Sequence, residues 1–413
     1  MANPASGVIG RIRAFPPAAW RLVVLSMFVA VGNGVFGFAF VLFLLQLGHD
    51  TAVQGVLISL MEVTVALTIL PFGMLASRAG KRRMLFSGLT LTAAAYVSVA
   101  FATELWHFAP GMLMLGLGTA LITPTLAAAL ADTVSDADRK YLMSFNAFGV
   151  MLASAVGYYL SGLMVGLIGE EGGFRALFAA AGAIVLAGAV LLTRKLDGSC
   201  APVQQMKGRA RTLLPFVLPQ FVLGLGAGLV IPFFPVYFKF RFGTDTATIS
   251  ALFTVTQLVW AATYIAMPVV AERKGSVRTL VLMQAMAVAA LLAIPLPQDF
   301  GSTATLFAIR MILMNASRPL ADSYMMTLVG KDLRSTAVAA NQLAWMFPHM
   351  LSVAAGGVLM GMSLELPFLI CGALYICSTS LYAWFFWGRD DLGGAPSGER
   401  NAAAPSTSLG KGR

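Results

Sequence analysis

Residues 32–83 read GNGVFGFAFVLFLLQLGHDTAVQGVLISLMEVTVALTILPFGMLASRAGKRR, and residues 227–278 read AGLVIPFFPVYFKFRFGTDTATISALFTVTQLVWAATYIAMPVVAERKGSVR. Laid over each other at a constant offset of 195 with no gap, the two stretches share 15 of 52 positions. Turn and charge positions repeat along with apolar ones. Gly48, Asp50, Thr51 and Ala52 return as Gly243, Asp245, Thr246 and Ala247, and Arg78, Gly80 and Arg83 return as Arg273, Gly275 and Arg278. Apolar bias alone does not produce such matches. The offset continues through Pro124/Pro319, Arg139/Arg334, Asn146/Asn341 and Gly162/Gly357, so the duplicated unit is nearly half the chain. Membrane proteins built from two parallel halves are commonly transporters.

Composition places the duplication in a membrane. The chain is 58% hydrophobic and 11% charged, against about 45–50% and about 25% for soluble domains. Apolar runs long enough to cross the roughly 30 Å hydrocarbon layer recur at 20–46, 52–76, 84–103, 108–131, 141–168, 173–193, 213–238, 247–270, 279–297, 303–329, 335–361 and 366–387. That predicts an all-α polytopic protein of twelve transmembrane helices, six per half. Spans of this length are helices because backbone polar groups facing lipid must be satisfied within the segment. The expected organisation is an N-terminal six-helix bundle over 1–193, a linker over 194–212, a second bundle over 213–388 and a disordered tail over 389–413. The linker (RKLDGSCAPVQQMKGRART) is polar and basic, and the tail is rich in Gly, Pro and Ser.

Positive loops stay on the cytoplasmic side. With the N-terminus inside, 23 of the 28 Lys and Arg fall in cytoplasmic segments, Arg175, Lys239 and Arg241 lie outside, and Arg310 and Arg318 lie within a helix. Both termini are therefore expected in the cytoplasm and the chain in the plasma membrane, with the first helix as its own insertion signal. The net charge of +10 is spread over every inner loop as topology requires, which argues against nucleic acid and makes anionic lipid headgroups the expected partner. Cys200, Cys371 and Cys377 show no metal or disulfide spacing. No metal, cofactor or catalytic cluster is expected, and so no enzyme. Nor is there a phosphate-binding Gly-rich loop that would imply ATP drive.

The loop after the second span carries Gly73, Ser77, Arg78, Gly80, Lys81 and Arg82, and its copy after the eighth carries Pro268, Glu272, Arg273, Gly275 and Arg278. With the 6+6 duplication, these residues resemble the major facilitator superfamily over about residues 15–390, the family signature being Gly-x-x-x-Asp-Arg-x-Gly-Arg-Lys. Serine replaces the acid in the first copy, and the second copy keeps an acid but loses the leading glycine. The resemblance implies a latch at the inner ends of the second and eighth helices, formed by Gly73, Arg78, Gly80, Lys81, Arg82, Glu272, Arg273 and Gly275. It also implies that helices 1, 4, 7 and 10 line a central cavity while 2, 5, 8 and 11 form the interface between halves. The fourth span has Met112, Leu115, Gly116 and Gly118 where proton-coupled exporters read Arg-x-x-Gln-Gly-x-Gly. The fifth has Gly149, Ala153, Ser154 and Gly157 in place of the antiporter motif. Pro232 and Pro235 predict a kink in the seventh helix.

Four charges remain at membrane depth, where each costs at least roughly 2.5–3.5 kcal/mol unless it faces a cavity or partner. They are Glu62, Arg310, Arg318 and Asp322. In the tenth helix Arg310 lies about 10–12 Å and Arg318 about 22–24 Å from the outer end. Asn315, Arg318 and Asp322 share one face, and Arg318 and Asp322 are spaced to pair across one turn, as a structural ion pair or as a gate or substrate contact. Arg310 is expected to meet an acid from another helix, the alternatives being an anionic ligand or a backbone carbonyl. Glu62 has no local cation. Desolvation at its depth favours the protonated form that a proton carrier needs, and its repeat partner is the uncharged Gln257. Asn33, Gln220, Tyr264 and His349 are further polar residues that could face the cavity, and the equivalence of Asn146 and Asn341 argues for structure.

The expected function is secondary active transport of a small molecule by alternating access of two halves. Within it, proton-coupled efflux of an amphipathic, drug-like compound by a monomer is favoured, with Glu62 as proton site, as in drug-exporter-like prokaryotic members of the family. Uptake or exchange of an anionic metabolite at Arg310 and Arg318 is the alternative. A non-transporting sensor or scaffold on the same fold is the reading from another class.

Overall fold

The computed structural model describes residues 8–192, 210–274, 276–329 and 334–387. The expected linker thus lies outside the described residues except for 210–212, which already belong to a helix, and the expected tail lies wholly outside them. A short helix α1 (Val8–Arg13) precedes six long ones: α2 (Pro17–Gln46), α3 (Thr51–Ala79), α4 (Lys81–Phe101), α5 (Leu105–Ala131), α6 (Asp136–Ile168) and α7 (Glu170–Ala187). The second six begin with α8 (Ala210–Val230) and α9 (Phe234–Phe242), which share one span, then α10 (Thr246–Lys274), α11 (Ser276–Ala293), α12 (Phe300–Leu328), α13 (Arg334–Met362) and α14 (Leu366–Phe386). No strand occurs among the described residues. Among the described residues, ten helices are long and apolar enough to cross a membrane. Outside that ten are α11, and α12 with its Arg310, Arg318 and Asp322.

The repeated Gly-x-Asp-Thr turns explain themselves. Gly48 and Gly243 hold φ of 83° and 61°, a left-handed region that suits glycine after a helix. Asp50 then caps α3 by accepting from the Val53 amide at 2.9 Å, and Asp245 caps α10 by accepting from the Thr248 amide at 2.9 Å. The hydroxyl of Thr248 also donates to Asp245, at 2.8 Å. These donors hold the Asp245 carboxyl below its usual range. The prolines of the seventh span break the helix more completely than a kink. Between α8 and α9 the chain tightens into a 3-10 turn over Ile231–Phe233, because prolines at 232 and 235 remove two amide donors within one turn.

Small residues set the helix contacts. A side chain at Gly34 would collide with the Ser154 backbone and one at Gly157 with Val31 and Val35, so α2 and α6 touch backbone to backbone. In the other half Gly224 and Gly228, one turn apart on α8, admit the backbone of α13 at Trp345 and His349. Gly37, also in α2, is different: a Cβ there meets nothing within 4 Å.

The halves meet along two seams. In the first, α3 lies on α13: Thr51 donates to the Gly357 carbonyl at 2.7 Å and Ser59 to the Met350 carbonyl at 2.7 Å. A side chain at Gly55 would strike the Val353 carbonyl. In the second, α6 lies on α10: Ser250 donates to the Tyr158 carbonyl at 2.6 Å and accepts from the Gly162 amide at 3.2 Å. Glu170 closes that end, pairing with Lys239 and accepting from Thr246. Among the described residues, these hydrogen bonds between halves run from the Thr51 and Thr246 ends to mid-depth. Toward the ends that carry the basic loops, Leu67, Leu70 and Met74 of α3 are exposed.

Candidate functional site

Where the seams stop, a cavity of about 300 Å³ opens between the halves. Phe36, Phe40, Tyr158, Phe234, Phe253, Trp260, Phe307 and Trp345 give its wall an aromatic character, Gly37 leaves room beside Phe36, and Glu62 is the acid in the lining. The lining residues come from α2, α3, α6, α9 and the turn before it, α10, α12 and α13. The fourth span, α5, contributes none of them, whereas the interface helices are those the resemblance implies.

Glu62 lies about 16 Å along α3 from Thr51. Its Oε2 meets Nδ1 of His349 at 2.9 Å, across the first seam, with the two side chains 18% and 7% exposed. The acid that has no local cation thus finds an imidazole in the other half. Pro348 stands beside His349 in α13, and Gly224 and Gly228 press α8 against the same turn. His349 stacks on Trp345 with ring centroids 4.4 Å apart and planes at 24°.

The tenth span corrects two expectations. Arg310 is 1% exposed and meets no acid among the described residues. Its Nη2 donates to the Tyr375 hydroxyl at 3.0 Å and Nη1 lies 3.0 Å from the Met311 sulfur. The guanidinium also sits 5.6 Å from the Phe234 ring centre and 5.7 Å from that of Tyr375. Aromatic faces and one hydroxyl replace the expected carboxylate, because a desolvated cation is attracted to the negative face of a ring. Arg318 and Asp322 also fail to make the direct pair. Arg318 lies 5.4 Å over the Trp345 ring, and Asp322 takes a hydrogen bond from Asn341 while feeling the Arg318 charge at longer range. The third member of that face, Asn315, bonds back to the Met311 carbonyl at 2.8 Å. Asn33 is exposed one turn before Gly37, and its Oδ1 accepts weakly from Tyr96 at 3.4 Å.

Of the expected latch, Gly80 forms the tight link between α3 and α4 at φ 84°, a conformation that side chains resist. Lys81 is buried and pairs with Asp132 at the end of α5, and Arg82 donates to the Leu192 carbonyl at 2.7 Å. These contacts stay within the first half. Gly73 has open space around it. The side chains of Ser77, Arg78, Glu272 and Arg273, together with Gly275, lie outside the described residues, as does that of Tyr264. Sequence reasoning missed Trp345 as a site residue and gave Asn341 a scaffold role. Their spacing held a signal: Asn341, Trp345 and His349 recur every four residues and so share one helix face.

Two six-helix halves with paired seams around a mid-depth cavity describe a transporter architecture, and the Major Facilitator Superfamily model matches residues 22–352 and 216–411. The chain belongs to the Major Facilitator Superfamily. A curated relative, the inner membrane transport protein YajR of Escherichia coli (strain K12), is 30% identical over 111 residues, or 26% of this chain. The match spans 24% of that relative's length. Among solved structures, a bacterial homolog of the human lysosomal transporter Spinster, in an inward-facing and occupied conformation, superposes with a TM-score of 0.75 at 15% identity, covering 91% of this chain and 97% of the other. The nucleoside transporter NupG superposes with a TM-score of 0.73 at 12% identity over 90% of this chain and 100% of its own. These likenesses establish the fold of this superfamily member.

Proposed function

We propose that this transporter couples efflux of an amphipathic, drug-like compound to protons, with Glu62 and His349 together as the proton site. The observation that carries the reading is the acid–imidazole pair on the seam at mid-depth, on the wall of an aromatic cavity. With neutral imidazole and ionised carboxylate the pair carries one negative charge in a poorly solvated place. One added proton makes it neutral overall, so the protonated pair crosses the occluded state at lower cost. With the basic loops and both termini in the cytoplasm, the closed seams face outward and the cavity opens inward. The substrate then enters from the cytoplasmic side and competes with the proton at Glu62. Aromatic walls and Met61 and Met311 suit an apolar body of variable shape.

The anion-uptake alternative loses its first cation. Arg310 is enclosed by Tyr375 and Phe234 and is not among the residues lining the cavity.

The test begins with ligand stabilisation of the purified chain against lipophilic cations, organic anions and sugars. Proton release on adding the best stabiliser is then measured in a weakly buffered solution. Release is expected from the unmodified chain and not from Glu62→Gln. An unchanged signal in that variant removes Glu62 from the mechanism.

A further inference from the structure

One face of α13 presents three side chains one turn apart, and each has a partner on a different rung. Asn341 bonds Asp322, Trp345 carries Arg318, and His349 bonds Glu62. The middle rung is the unusual one. A single indole is stacked on His349 and lies beneath the guanidinium of Arg318. An aromatic face attracts a cation within about 6 Å of its centre. Two cations on one ring divide that attraction and repel each other.

We propose that Trp345 is a positioning residue shared by Arg318 and the protonated form of His349, so that Arg318 leaving the indole favours protonation of His349. This rests on the reading of Glu62 and His349 as the proton site. Arg318 has somewhere to go. Asp322 is one turn further along α12, at the spacing that suits a pair, and both side chains are exposed toward the open end. An event at that end, the transfer of Arg318 from Trp345 to Asp322, is thereby reported to the proton site one helical turn deeper.

The other ionisable groups around His349 do not supply this coupling. On α12, Arg310 is bonded to Tyr375 of α14, beside the buried Cys371. Glu62 is the acid that faces His349 from α3. The described side chains of α8 from Leu213 to Val230, packed behind it, include no ionisable group.

The chain has three histidines, so histidine-selective carbon-13 NMR of the full chain in lipid nanodiscs resolves them, with His349→Asn assigning the signal. This readout needs no transported compound. Trp345→Leu is expected to lower the titration midpoint of His349 by about 0.5–1 pH unit, and Trp345→Phe to restore most of it. Arg318→Gln, at an exposed position where folding is not at stake, is expected to raise the midpoint, and Arg318→Lys to leave it near the unmodified value. Any pattern other than opposite shifts in Trp345→Leu and Arg318→Gln overturns the proposal. Glu62→Gln separates the two ideas. If it moves the midpoint and the other two variants do not, the shared indole fails alone; if Glu62→Gln has no effect, the proton-site reading fails.

Discussion

The α3–α13 seam and the α6–α10 seam are copies of each other under the 195-residue offset, yet their centres differ. At the centre of the first, Glu62 meets His349 at 2.9 Å. At the centre of the second, the copy of Glu62 is Gln257, whose amide lies 3.8 Å from the Met151 sulfur. The copy of His349 is Ser154, whose hydroxyl turns to the Ala30 carbonyl at 3.3 Å. The rungs behind differ in the same way: Trp345, Arg318 and Asp322 correspond to Val150, Thr123 and Ala127. Asn341 bonds Asp322, whereas the Oδ1 of its copy Asn146 is buried with no hydrogen-bond partner among the described residues. Duplication preserved the backbone route of both seams and left one of them free to specialise. The equivalence of two side chains is therefore weak evidence that they do the same work.

The sharpest way to break this comparison is to make the centres alike. Glu62→Gln should abolish proton release, while Gln257→Leu should leave its stoichiometry intact; loss of release in both would mean that the seams share the proton site. Next in size is the packing of the seams. A methyl at Gly357 meets the Thr51 backbone, which cannot turn aside, whereas one at Gly162 first meets the Ser250 hydroxymethyl group. Gly357→Ala should destabilise by about 1–3 kcal/mol and Gly162→Ala by less, read as midpoints of thermal unfolding in detergent. Equal losses would contradict the distinction.

The outer ends offer smaller tests. Asp245→Ala should cost about 0.5 kcal/mol, the low end for a solvent-exposed cap, and more than Asp50→Ala, which loses no hydroxyl donor. Because the folded state holds the Asp245 carboxyl below its usual range, this contribution is complete above the ordinary aspartate range. It fades as pH falls through the depressed folded value. The difference between Asp245→Ala and the unmodified chain should accordingly close in acid, and a gap that widens would refute the capping account. Last, Glu170→Lys and Lys239→Glu should each weaken the second seam, and the double reversal should recover a coupling of about 0.2–1 kcal/mol that salt diminishes. A double-mutant cycle with no coupling would remove the pair from the seam.

The twelve helices were legible because a hydrocarbon layer demands long apolar runs, and the turns because Gly48, Asp50, Gly243 and Asp245 do the same local job twice. Glu62 stood out as a break in the repeat. Its partner was hidden, since His349 lies 287 positions away and its contact depends on which faces of α3 and α13 meet. Arg318 shows a different limit. Spacing correctly makes Asp322 reachable, but it does not reveal that the Trp345 face competes for the same guanidinium. The surroundings of Arg310 are not legible in the sequence, because an acid is the obvious neighbour of a buried cation and rings from α9 and α14 are brought to it only by tertiary packing. The break in the seventh span needs no tertiary information beyond the two prolines, whose spacing predicts a bend and yields a 3-10 turn.

Phe38 and Tyr158 both meet Phe253, at 5.4 and 5.8 Å between ring centres, and Phe253 meets Phe307 at 5.0 Å. This ring-to-ring layer from α2, α6, α10 and α12 closes the cavity on the side away from the basic loops. It is an insulator, while an aqueous mouth conducts. On the proposed reading, with Glu62 as proton site, a voltage across the bilayer falls mainly over the layer, and a proton travelling from the mouth to Glu62 crosses little of it. The work of about 2.3 kcal/mol per elementary charge at 100 mV is exchanged instead when the insulating layer re-forms on the other side of Glu62. That reading places the action of voltage on the switch between states and leaves proton binding nearly blind to it.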